Sequence, residues 1–136
     1  MFFKKSEDKY QKDELIKISA LFIHAAKIDE NYTSKEEKII KQALVKIGAK
    51  EQDIDYLILE GKKIDKNTNQ ILDFTKEVKI MNNESKINIV KTLWQIIYSN
   101  GDADMYETNL MRRLAGLLYI DSKTMGTIKE QIKKNY

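Results

Sequence analysis

The chain contains no cysteine and no proline, and it has five glycines, one histidine and one tryptophan. Without cysteine there is no disulfide, no thiolate metal ligand and no cysteine nucleophile. Without proline nothing interrupts a helical hydrogen-bond ladder from within, so a chain of 136 residues leans toward helix. A single histidine, His24, excludes a metal site built from several imidazoles. No apolar run approaches the roughly 18 residues that a membrane-spanning helix needs. An excess of one charge is missing too. Lys and Arg number 24 against 21 Asp and Glu, a balance of +3, so nucleic acid is not an expected partner. The opening MFFKKSEDKY carries two phenylalanines and then charges, too little for the apolar region of a signal peptide, and a cytoplasmic setting is the expectation. The Lys, Ile and Asn bias suits a bacterial, AT-rich coding sequence.

What is present is a helical pattern. Hydrophobic residues make up 42% and charged residues 33%, the balance of a soluble domain with a real core. No alternating run of β-branched residues marks a strand. Residues 1–11 read as a flexible lead-in, with Phe2, Phe3, Lys4 and Lys5 permitting at most peripheral membrane contact, and 12–134 read as the domain. From Asp13 to about Ile28 the chain is apolar nearly all round, which predicts a central helix. Thr33 or Ser34, with Glu36 or Glu37 behind it, predicts a capping box and a helix to about Ile47, stopped by Gly48. A short helix over about Glu51–Glu60 is expected to end at Gly61, with Lys62–Lys66 as a connection. Asn67 or Thr68 opens the next, carrying Phe74 and Val78, and Asn82-Asn83 breaks it. Glu84–Tyr98 is a second buried helix, with Trp94 in the core rather than at a ligand. Helices follow to Leu118 and, capped by Asp121-Ser122, to the basic end Lys133-Lys134. The fold class is all-α, a single-domain bundle of about seven helices.

Two loops repeat. AAKIDENYTSKEEKII and IIYSNGDADMYETNLM superpose with Asp29 on Asn100, 71 residues apart. Asn31 then meets Asp102, Thr33 meets Asp104 and Glu36 meets Glu107, so the chain reads as two similar helix–acidic loop–helix halves. Oxygen side chains at alternate positions are what Ca²⁺ or Mg²⁺ asks for. An EF-hand is not complete, however: its glycine position holds Ser34 or Met105, and its bidentate glutamate position holds Ile40 or Met111. The candidate metal set is therefore Asp29, Asn31, Glu36, Asn100, Asp102, Asp104 and Glu107. The simpler role for the same residues is to cap the helices that follow. His24 reads as a core-edge histidine with one hydrogen bond.

These features resemble the TerB family, the tellurite-resistance-associated helical domain that also stands at the N-terminus of DjlA-type co-chaperones. Family members carry Ala-x-x-Asp-Gly-x-x-x-x-x-x-Glu after a buried helix, usually twice. Here the first copy is Ala26, Asp29 and Glu36, with Glu30 at the glycine position. The second is Asn100, Gly101 and Glu107, with Ile97 at the alanine position and asparagine for aspartate. Tyr106-Glu107, then Leu110-Met111-Arg112-Arg113-Leu114-Ala115 and Leu117-Leu118, also follow the family's second half. The likeness runs from about Asp13 to Ile132. It implies a helical domain of roughly seven helices with an acidic surface and a link to metal ions or stress, in a family without an established enzymatic activity.

The sequence thus points to a non-enzymatic interaction or sensing module with a protein partner, tuned by a divalent cation at the loops. Two alternatives stand beside it. A metal-dependent hydrolase would line a concave pocket with the clustered carboxylates. A homodimeric structural protein would carry a large apolar patch outside. No serine nucleophile context or glycine-rich phosphate loop accompanies His24. The basic pairs Arg112-Arg113 and Lys133-Lys134 read as solvated faces.

Overall fold

The helix that the sequence marks as apolar nearly all round and the second helix it marks as buried pack together at the centre of the molecule. In the computed structural model, which describes residues 10–28, 32–67, 71–99, 101 and 103–135, α1 spans Lys12–Ala26 and buries Ile18 and the whole run from Ser19 to Ile23. Its counterpart α5 spans Asn83–Tyr98 and buries Leu93, Trp94, Ile96 and Ile97. Around them lie α2 (Ser34–Lys46), α3 (Ile54–Asn67, entered through a 3₁₀ turn at Glu51–Asp53), α4 (Ile71–Lys79), α6 (Met105–Leu117) and α7 (Ser122–Lys133). Among the described residues there is no strand.

The repeat seen in the loops extends through whole helices. Adding 71 to a number in the first half gives its counterpart in the second, and Ser34–Lys46 maps onto Met105–Leu117. The packing repeats with it. The third helix of each half folds back on the first, α3 on α1 and α7 on α5, and α4 links the halves by packing on α1, α5 and α6. Phe74 and Val78 of α4 are fully buried there, as their spacing predicts.

The helix stops repeat as well. Gly48 ends α2 at φ +116°, and the Ala49 N–H reaches back to Leu44 O at 2.9 Å. Tyr119 ends α6 at φ +59°, and the Ile120 N–H reaches back to Ala115 O at 2.9 Å. Both are six-to-one closures of the kind that leaves one residue left-handed.

One sequence expectation is corrected. Gly61 does not end α3; the helix runs through it to Asn67. The residue is glycine for contact, not for turning. A Cβ there would lie 2.7 Å from Ser19 Oγ and 3.1 Å from the Ala20 nitrogen of α1. Lys62–Lys66 is therefore helix rather than connection. Asn67 closes α3 instead of opening α4, which begins at Ile71, and the alternative start Thr68 lies outside the described residues. The expected lead-in at 1–11 lies outside them as well, except for Tyr10 and Gln11.

Candidate functional site

Each acidic loop hands over to a helix through a capping box. In the first, Thr33 Oγ1 accepts from the Glu36 N–H at 3.2 Å and Glu36 Oε1 accepts from the Thr33 N–H at 2.7 Å. In the second, Asp104 Oδ1 accepts from the Glu107 N–H at 2.8 Å and Glu107 Oε1 accepts from the Asp104 N–H at 3.0 Å. The reciprocal pair satisfies two free N–H groups at each helix start. Such glutamates ordinarily sit in water. Here Glu36 is 1% and Glu107 4% exposed, so both carboxylates belong to the interior and both have further polar partners there. A buried carboxylate holds its charge only against compensating donors or cations.

The flanks of the two loops converge. Lys35, at the start of α2, donates through Nζ to the Ser99 carbonyl at the end of α5, 3.1 Å away. Ile28, just before the first loop, shares a cleft of about 440 Å³ with Tyr106 of α6. The chain leading into each loop thus meets the helix leading out of the other. Of the candidate ligands, Glu36, Asp104 and Glu107 are described, whereas Asp29, Asn31, Asn100 and Asp102 lie outside the described residues. Among the described residues no three of His, Cys, Asp and Glu gather as a metal would require. The candidate set as a whole is oxygen-only, which suits a hard cation and no soft one.

His24 is an edge residue. Its Nδ1 lies 3.2 Å from Asp65 Oδ1, its ring centroid is 5.7 Å from that of Phe74, and Lys27 Nζ holds the other Asp65 oxygen at 3.3 Å.

A polar cluster that the sequence did not single out joins α2 to α3. Tyr32 donates to Glu37 Oε1 at 2.8 Å, Lys62 Nζ lies 3.2 Å from the same oxygen, and Lys41 Nζ is 3.6 Å from Oε2. Lys41 also reaches Asp55 of α3 at 3.5 Å. Burial pushes the Tyr32 hydroxyl above its ordinary range, and the Glu37 carboxylate adds to the shift. Burial acts to raise Glu37 too, but the Tyr32 hydroxyl and the Lys62 and Lys41 ammonium groups outweigh it and hold the carboxyl below its usual value. The only local signal for this cluster was the four-residue spacing of Glu37 and Lys41.

Two clefts stand out on the surface. The first is the one containing Ile28 and Tyr106, edged by Arg112 and Arg113. The second, about 390 Å³, lies between α6 and α7 over Trp94. Neither is lined by Glu36, Asp104 or Glu107.

Comparison with curated proteins and with solved structures gives no match. The family described as Tellurite resistance protein TerB matches over residues 15–130, a span that takes in both capping boxes, both buried glutamates and nearly all seven helices. The chain belongs to the TerB family.

Proposed function

We propose that this TerB-family chain is a non-enzymatic binding module whose two loops take up a divalent cation such as Ca²⁺ or Mg²⁺, in the stress setting, tellurite resistance, that the family's description names. The observation that carries this reading is the pairing of buried glutamates. Glu36 and Glu107 stand at matching places on the first turns of α2 and α6, where the flanks of both loops meet. Oxygen donors at Asp29, Asn31, Asp102 and Asp104 precede them in the chain. A hard cation at that end would take its ligands from these oxygens.

Binding rather than catalysis is favoured by how the reactive side chains are used. His24 is engaged by Asp65, and among the described residues the two clefts are edged by arginine rather than carboxylate. A hydrolase acting through these acids needs them in a concave site.

The test is a thermal melt with and without millimolar Ca²⁺, Mg²⁺ and Mn²⁺, on the wild type and on Asp29→Asn/Asp102→Asn/Asp104→Asn. Asparagine caps helices as well as aspartate does, so the triple variant keeps its α6 start. A cation at a hundredfold excess over its Kd adds about 2.7 kcal/mol to the folded state. The expected result is a higher midpoint in the wild type that the variant lacks. No shift with any of the three ions leaves the loops as helix caps and removes the cation reading.

A further inference from the structure

The fold explains three of the five glycines and leaves two. Gly48 and Gly101 have positive φ, and Gly61 admits α1. Gly116 and Gly126 lie inside helices, and a Cβ on either would meet nothing within 4 Å. A glycine in a helix interior is unfavourable against alanine. Among the described residues no close neighbour calls for it, yet both glycines line the same cleft between α6 and α7.

The first half shows what the cleft is missing. At the counterparts of Ala115 and Gly116 it has Leu44 and Val45, and at the counterpart of Gly126 it has Asp55. There the Lys41–Asp55 ion pair ties α2 to α3. In the second half the cation is retained as Arg112, but its carboxylate has become Gly126. A further cation is added: Lys129 stands where the first half has Ile58, with its Nζ 5.5 Å from the centre of the Trp94 ring. Arg112 and Lys129 both edge the cleft, and among the described residues no carboxylate lines it. The floor is Trp94, Met111 and Met125, and methionine surfaces adapt readily to an apolar occupant.

We propose that the α6–α7 cleft docks an acidic amphipathic helix from a partner protein. The partner supplies the carboxylate that Asp55 supplies in the first half, and its apolar face lies over Ala115 and Gly116, where the first half has the larger Leu44 and an exposed Val45. Walls without side chains at Gly116 and Gly126 let a helix lie close, with anchors spaced at i, i+3 or i+4, and i+7. None of Glu36, Asp104 and Glu107 lines this cleft, so the proposal goes beyond the cation reading and stands or falls apart from it.

The experiment selects a displayed library of amphipathic helices about four turns long, with one apolar face and acidic, neutral or basic polar faces, on the full chain. It is repeated on Gly126→Asp and on Ala115→Leu/Gly116→Val. These carry the first half's residues at their matching places, and a melting curve checks that each is folded. The wild type is expected to enrich acidic helices at least about tenfold over basic ones. Binding should shift the emission of Trp94, the only tryptophan. Both variants should lose the enrichment and the shift. Equal recovery of all three faces, no enrichment at all, or acidic binding that survives Gly126→Asp overturns the proposal. So does a wild-type dimer in sedimentation equilibrium that Gly126→Asp turns into a monomer, because the occupant is then a second copy of this chain.

Discussion

Lys41 reaches Asp55 across α2 and α3, while its counterpart Arg112 shares a cleft with Gly126 between α6 and α7. The first two helices of each half match in register almost residue for residue, and the third helices α3 and α7 overlap, so much of the difference lies in side chains. The first half closes on itself. Gly61 brings α3 onto α1, and Tyr32, Glu37, Lys41, Lys62 and Asp55 tie α2 to α3. In the second half Ile132 replaces Gly61, Thr108 replaces Glu37 and Gly126 replaces Asp55. Among the described residues neither Arg112 nor Lys133, the counterparts of Lys41 and Lys62, has a carboxylate partner. In the first half Lys41 and Lys62 each meet a carboxylate, and in the second, among the described residues, their counterparts do not. The comparison teaches that one helical scaffold carries different side-chain ties in its two halves.

The largest effect that would break the comparison is at the close helix crossing. Gly61→Ala places a methyl group against the Ser19 hydroxyl and the α1 backbone. The helix-propensity gain of about 1 kcal/mol is outweighed, and a net loss of about 2 kcal/mol is expected in urea melts. Alanine at Gly126 has open space instead and should raise stability by up to about 1 kcal/mol in the same melts. Equal effects at the two glycines would mean that α3 and α7 pack alike.

Next in size are the two helix stops. Gly48→Ala puts a side chain at φ +116° and should cost about 1 kcal/mol. Tyr119→Gly relieves a left-handed tyrosine at φ +59° but removes its contacts with Lys79 and Lys86, whose Nζ atoms lie 5.1 and 5.8 Å from the ring centre. The relief of about 1–2 kcal/mol exceeds the exposed cation–π contribution of about 0.5–1 kcal/mol, so a small net gain is expected. Thermal melts of the two variants should therefore move in opposite directions.

The smallest effect concerns acid. Glu37 is held below its usual range, so its contribution is fully present above the ordinary glutamate pKa and is lost as the pH falls through its lowered value. Glu37→Gln should cost about 0.5–1 kcal/mol at neutral pH, and the gap to wild type should close in acid. Thr108→Glu, which gives the second half the acid it lacks, should gain a few tenths of a kcal/mol over the same neutral range and lose it in acid. A pH-independent gap at Glu37 would assign its role to packing.

Much of this architecture was legible from residues alone because its causes are local. Thr33, Asp104 and Asp121 cap the helices that their spacing announced, since a short oxygen side chain and the nearest free N–H groups are all that a cap requires. Gly48 stops α2 for a reason contained in its own backbone. The apolar run of α1 declared a central helix, because a helix without a polar face has no stable place at a surface, and the apolar residues of α5 marked a second buried one. The doubled loops announced two halves; the first capping box was left between Glu36 and Glu37, and the structure closes it with Glu36, while Glu107, singled out as a cation ligand, closes the second.

The rest was decided by neighbours far apart in the chain. Gly61 looks like a stop until α1 is laid against it. Nothing in their own helices marks Glu36 and Glu107 as buried; α1, α3 and α5 pack on α2, and α4 and α7 pack on α6. Arg112 reads as one of a solvated pair until its counterpart Lys41 is seen beside Asp55. Sequence by itself determined the helices, their caps and the repeat, because hydrogen bonds within a turn and the period of an amphipathic face are local properties. Only the tertiary structure decided which glycine is a contact, which carboxylates are interior and which groove stands open. Those outcomes depend on the distance between side chains that the chain itself holds dozens of residues apart.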